Sequence, residues 1–213
     1  MPISHEHRCI FVHIPKSGGT SIELALGMDR GNELFGFEAA DGTRYDNSVG
    51  PRMKAEGQHD LICLQHLEAT RVRSRYPDEI WNTYFKFSVV RNPFDLVVSE
   101  FSYHTQERED MLGILGFAAD TPFKDYVHSG FRAKQQKKFL VDERGEIIVD
   151  FIARFENLEH DFAHICKTIG VEVKLPHANK TVRDPYREYY DDQTRARVER
   201  VYADDFRLFG YSF

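Results

Sequence analysis

Three cysteines in 213 residues are too few, and too far apart, to form a disulfide framework. Cys9, Cys63 and Cys166 are odd in number and each sits in an apolar run, as buried free thiols do in a reducing compartment. Nowhere do His, Cys and acidic residues recur at metal-ligand spacing, so no metal is expected. No stretch is long and apolar enough to span a bilayer, and the segment Met1 to Arg8 has no apolar signal core. A soluble, cytoplasmic protein without an integral membrane segment is the expectation. Excess positive charge is lacking too. Lys and Arg number 28 against 34 Asp and Glu, a net charge of −6, which argues against nucleic acid as a partner but leaves room for a local anion site. There is no low-complexity tract, no repeat and no mark of an oligomeric state. With 41% hydrophobic residues, the chain fits one compact domain spanning residues 1–213.

What the chain has is an alternation of short apolar runs and helical patterns. Residues 9–14 read as a strand covered on both faces, broken at Pro15 and followed by a helical pattern from Thr20 to Leu26. A second run, Leu61 to Leu64, ends at Gln65 and His66; a third, Phe85 to Val90, ends at Arg91. Asn92 suits a helix N-cap and Pro93 the first helical position, with Phe94, Val97, Val98 and Phe101 on one face. A further strand is expected over residues 147–155, after a turn at residues 143–146. Leu158, Phe162, Ile165, Cys166 and Ile169 form a helical stripe that Gly170 can end. The last helix is expected from Gln193 to Gly210, with Val198, Val201, Tyr202 and Phe206 inward. Residues 29–60 and 104–135 lack periodicity and read as loops. This order predicts an α/β fold with a mainly parallel sheet. In such sheets ligands bind beyond the carboxyl ends of the strands, where unusual polar residues stand here: Lys16 to Ser21, His66 and Arg91.

Lys16, Ser17, Gly18, Gly19, Thr20 and Ser21 form a glycine loop between a strand and a helix. Its glycines let backbone amides approach an anion, and its hydroxyls can donate to one. The lysine precedes the glycines, the wrong order for a nucleoside triphosphatase loop. Arg91 at a strand end and Ser99 two turns into the next helix make a second candidate anion site; the plainer alternative is an ion pair between Arg91 and Asp95.

Together these segments resemble the sulfotransferases, in particular the carbohydrate sulfotransferase branch. That family's 5′-phosphosulfate loop reads His-x-Pro-Lys-(Ser/Thr)-Gly-Gly-Thr-Ser, matched from His13 to Ser21. Its 3′-phosphate motif is an arginine, Asn/Asp-Pro, and a serine eight residues after the arginine, matched by Arg91, Asn92, Pro93 and Ser99. Residues 151–158, 175–181 and 205–213 are similar to the same branch. Golgi members carry an anchor and stem that are missing here, so the resemblance is to a bacterial-type soluble member. It implies a three-layer, P-loop-like α/β fold with a central mainly parallel sheet flanked by helices.

The resemblance also implies the donor 3′-phosphoadenosine 5′-phosphosulfate (PAPS), no metal, and an acceptor hydroxyl, by analogy with the branch on a carbohydrate. Lys16 is expected to stabilise the leaving oxygen, with residues 17–21 holding the 5′-phosphosulfate and Arg91 and Ser99 holding the 3′-phosphate. Arg183, with Lys180 and Thr181, is a candidate to close over the nucleotide. His66 is the expected general base, Glu68 the reserve, and His13 structural support. Arg71, Arg73 and Arg75 would favour an anionic acceptor if they lined the site. Two other readings stay open: a P-loop kinase-like nucleotide phosphotransferase, and a donor-binding module without catalysis.

Overall fold

The computed structural model describes residues 3–28, 35–46, 53, 61–106, 116–129, 134–176 and 183–213. In chain order, β1 (Ile3–Ser4) and β2 (Cys9–Val12) lead into α1 (Gly19–Ala25). Three short strands follow, β3 (Phe37–Glu38), β4 (Arg44–Tyr45) and β5 (Ile62–Cys63), then α2 (Ala69–Arg73) and α3 (Asp78–Thr83). Next come β6 (Phe85–Val90), α4 (Pro93–Gln106), α5 (Phe123–His128) and α6 (Lys137–Leu140). The chain ends with β7 (Phe151–Arg154), α7 (Leu158–Ile169), α8 (Asp192–Val201) and α9 (Ala203–Phe209). These elements group into two compact units, Met1–Val90 with Lys138–Asn179, and Arg91–Lys137 with Lys180–Phe213.

The first unit holds a four-stranded sheet in the order β1-β2-β6-β7. β1 runs antiparallel to β2, whereas β2, β6 and β7 are parallel. All four residues of β2 are buried, which is why its sequence is continuously apolar rather than alternating. Cys9, Phe11, Phe87, Val89 and Ala153 share one core with Ile22 of α1, Leu26 just beyond it, and Phe162, Ile165 and Cys166 of α7. Within it the rings of Phe11 and Phe87 stack at 5.1 Å, and those of Phe85 and Phe87 at 5.9 Å. The fold is thus α/β, with a central mostly parallel sheet flanked by helices. Gly170 ends α7 at φ 73, as its position past the apolar stripe suggests.

Two expectations need correction here. The run at residues 61–64 does not end a strand of this sheet. Only Ile62 and Cys63 are extended, and they pair with β3 in a second, antiparallel sheet of order β4-β3-β5, after which residues 64–66 make a 3₁₀ turn. The strand expected over 147–155 is also shorter. Ile147 instead bridges Val141 across a turn held by Asp142, whose side chain accepts from the amides of Arg144 and Glu146. Within residues 29–60, β3 and β4 appear where only loop was expected, and α5 appears within 104–135; residues 29–34, 47–52, 54–60, 107–115 and 130–133 lie outside the described residues.

The second unit is helical. Asn92 caps α4 through its side-chain oxygen, which accepts from the Phe94 amide at 3.1 Å, and its Nδ2 donates to the Ser212 carbonyl at 2.8 Å. Phe94 is wholly buried at a hub of rings: Tyr190, Phe206 and Phe213 lie 4.8 to 5.1 Å away and Tyr186 6.4 Å. The tyrosines of residues 186–190 are therefore packing residues. The single last helix expected from Gln193 is two, broken at Tyr202. Asp204 and Asp205 occupy the first turn of α9, where acidic residues favour a new helix start. Among the described residues no cysteine forms a disulfide, and no helix is long and apolar enough to cross a membrane.

Candidate active site

Beyond β2 the chain turns through a conformation that few residues adopt. Lys16 has φ 61 and Gly18 has φ 81, both in the left-handed region. For lysine this costs on the order of 1 kcal/mol, so the surroundings must hold it there. A Cβ on Gly18 would lie 2.9 Å from Leu158 Cδ2 and 3.2 Å from the Phe155 ring; one on Gly19 would lie 2.1 Å from His13 Nε2. Both glycines are thus demanded from beneath the loop, a packing reason beside the anion approach read from sequence. Lys16 is half-buried, Thr20 is exposed, and Ser21 is half-buried at the start of α1. Ser17 is buried, with its hydroxyl 3.5 Å from the Pro15 carbonyl.

His13 carries more than the loop. Its Nδ1 lies 2.6 Å from Glu23 Oε1, and Gln65 Nε2 donates to Glu23 Oε2 at 2.6 Å; all three residues are buried. With Glu23 as the carboxylate, both its oxygens accept, so the proton sits on His13 Nδ1. His66 Nδ1 is 3.1 Å from the carbonyl oxygen of His13. A carbonyl can only accept, so His66 donates from Nδ1 and keeps a lone pair on Nε2. The two rings meet edge to face, centroids 4.5 Å apart. Burial pushes the His66 imidazole down to about 3, with His13 beside it adding to the effect. Burial likewise pushes His13 down to about 3. Near pH 7, His66 is a neutral imidazole with an accepting Nε2.

In the second unit Arg91 is 5% exposed. Its Nε and Nη2 both reach Asp95 Oδ2 at 2.7 Å, and Arg183 Nη2 bonds the other oxygen, Oδ1. The ion pair weighed from sequence is present, and its one carboxylate aligns two guanidiniums. Ser99 lies one turn beyond Asp95, also buried. The Arg91 backbone is held by a side chain: its N–H donates to Gln136 Oε1 and its carbonyl accepts from Gln136 Nε2, both at 2.8 Å. Asp205 in turn accepts from the amides of Gln136 and Lys137 at 2.7 and 2.9 Å. Burial pushes the Asp205 carboxyl up to about 6, although those two amides pull it down.

A sulfotransferase family model matches residues 1–212. The chain belongs to the sulfotransferase family. Over 98% of its length it is 22% identical to carbohydrate sulfotransferase 10 of Xenopus laevis, and it spans 66% of that protein. It is also 29% identical, over 57% of its length, to an uncharacterized protein of Archaeoglobus fulgidus, 98% of which is covered.

In this member of the family, Lys16 to Ser21 and His66 lie in the first unit, and Arg91, Ser99 and Arg183 in the second. Lys180 and Thr181 lie outside the described residues. Glu68 precedes α2 with its carboxylate 3.7 Å from Arg71 Nε, and Arg75 is engaged by both oxygens of Glu38. Arg71 and Arg75 are therefore each paired rather than forming one basic row. Sequence reasoning missed Glu23, Gln65, Gln136 and Asp205. A carboxylate directly after buried Ile22 was the signal for Glu23; Gln136, amid lysines at 134, 137 and 138, gave none. Among the described residues no cluster of His, Cys, Asp and Glu is arranged to hold a metal ion.

Proposed function

We propose that this chain acts as a single sulfotransferase domain that transfers a sulfuryl group from PAPS to a hydroxyl of a carbohydrate. The observation that carries this reading is the loop at Lys16 to Ser21, forced into shape by buried His13 and by Phe155 and Leu158, with an accepting His66 Nε2 fixed to the same histidine. The loop amides, with Ser17, Thr20 and Ser21, hold the 5′-phosphosulfate, and Lys16 stabilises the leaving phosphate oxygen. Arg91, Ser99 and Arg183 hold the 3′-phosphate, a role that suits two guanidiniums aligned in advance. In the transfer, the sulfur–oxygen bond to the phosphate breaks as the acceptor oxygen attacks in line, and the acceptor's proton passes to His66 Nε2. The carbohydrate acceptor is supported by the likeness to a carbohydrate sulfotransferase. Calorimetric titration with 3′-phosphoadenosine 5′-phosphate tests the donor, against ATP with magnesium. Binding without metal, weakened at least tenfold in Arg91→Ala, is the expected result. Binding of ATP but not of the bisphosphate would overturn the reading. An acceptor screen with His66→Ala as control then tests the base.

A further inference from the structure

Every constraint on His66 leads to one buried carboxylate. Its ring is held through Nδ1 by the His13 carbonyl and from the side by the His13 ring. Its chain neighbour Gln65 is tied to Glu23 Oε2, and His13 is tied to Glu23 Oε1, each at 2.6 Å. Glu23 itself is 1% exposed on α1. It thus joins three separate pieces of chain: the end of β2, the helix after the loop, and the 3₁₀ turn that carries His66.

From this we infer that Glu23 is the positioning residue of the reaction, fixing the tautomer and aim of His66 while holding the His13 ring under Gly19. The inference rests on the reading of His66 as the base. A carboxylate suits the place because it accepts at both oxygens, whereas a glutamine there offers one acceptor and one donor, so either the His13 proton moves to Nε2 or the Gln65 amide turns over. An isosteric change therefore keeps the volume and rewrites which atoms of the network carry the protons. A buried polar network that loses one member loosens as a whole.

The test is made on the full chain with 15N-labelled histidine, reading the two ring nitrogens of His66 by NMR. In the wild type, Nδ1 is expected to be protonated and Nε2 bare from pH 8 down to pH 5. In Glu23→Gln, a mixture of tautomers is expected, with a protonation step returning toward the ordinary histidine range near 6.5. The calorimetric affinity for 3′-phosphoadenosine 5′-phosphate is expected to fall only a few-fold, whereas transfer falls at least tenfold. An unchanged His66 signature in a folded Glu23→Gln protein would overturn the proposal. If that variant does not fold, Gln65→Ala removes one arm of the network alone and is read in the same way. Full transfer activity in His66→Ala would instead sink the assignment of the base, while the nitrogen signature would still report whether Glu23 sets the ring.

Discussion

At the scale of single residues, two glycines separate the two reasons for having no side chain. Gly170 has φ 73 with open space around its absent Cβ, so Gly170→Ala pays only for the backbone, about 1 kcal/mol. Gly19 is not in the left-handed region, but its Cβ would fall on the His13 ring, which is itself held by Glu23 and cannot swing aside without breaking that bond. Gly19→Ala should therefore cost more, about 2–3 kcal/mol, as overpacking does. Urea denaturation of both variants checks this; equal losses would mean that the His13 ring yields easily. Lys16 stands between the cases, a side chain held at φ 61 beside the residues assigned to donor binding.

At the scale of elements, the helix that begins at Asn92 depends on one ring. Phe94 sits among Tyr186, Tyr190, Phe206 and Phe213, and its carbonyl accepts from the Tyr190 hydroxyl at 2.9 Å. Phe94→Ala should cost about 3–5 kcal/mol, and Phe94→Leu much less, by denaturant midpoint. Such local features were what the sequence disclosed. Asn92-Pro93 after an apolar run, and a stripe closed by Gly170, announce a helix start and a helix end from neighbouring residues alone. β5 was not legible, because its place is decided by pairing with β3, some 25 residues earlier in the chain. Nor was the break at Tyr202, beside which Asp205 is held by amides near residue 136. The site divides the same way. The loop at Lys16 and the strand end at Arg91 are contiguous motifs, whereas Glu23 and Gln65 meet across 42 residues.

At the scale of the whole molecule, buried groups tie stability to pH. His13 and His66 are pushed from 6.5 down to about 3 by burial. Between those values the unfolded chain takes up protons that the folded chain refuses, so stability falls as pH drops from about 6.5 toward 3. Asp205 opposes this. Raised from 3.8 to about 6, it contributes stability that is complete below 3.8 and lost as pH rises through 6. Two histidines against one aspartate leave a net fall on acidification. A series of thermal midpoints from pH 7 to pH 4.5 should show it, with a shallower slope in His13→Asn. An equal slope in that variant would mean that His13 takes its proton at an ordinary pH.

Gln136 shows how the polypeptide can counterfeit a neighbouring strand where none runs. A primary amide is the one side-chain group that carries a donor and an acceptor at the spacing of a peptide bond, and here it meets both the N–H and the carbonyl of Arg91. Acids lack the donor and amines the acceptor, so the chemical alphabet offers position 136 almost no synonyms. A glutamine there, read jointly with an arginine 45 residues earlier, is a two-letter fingerprint by which distant cousins of this chain can be sought after their loops have diverged.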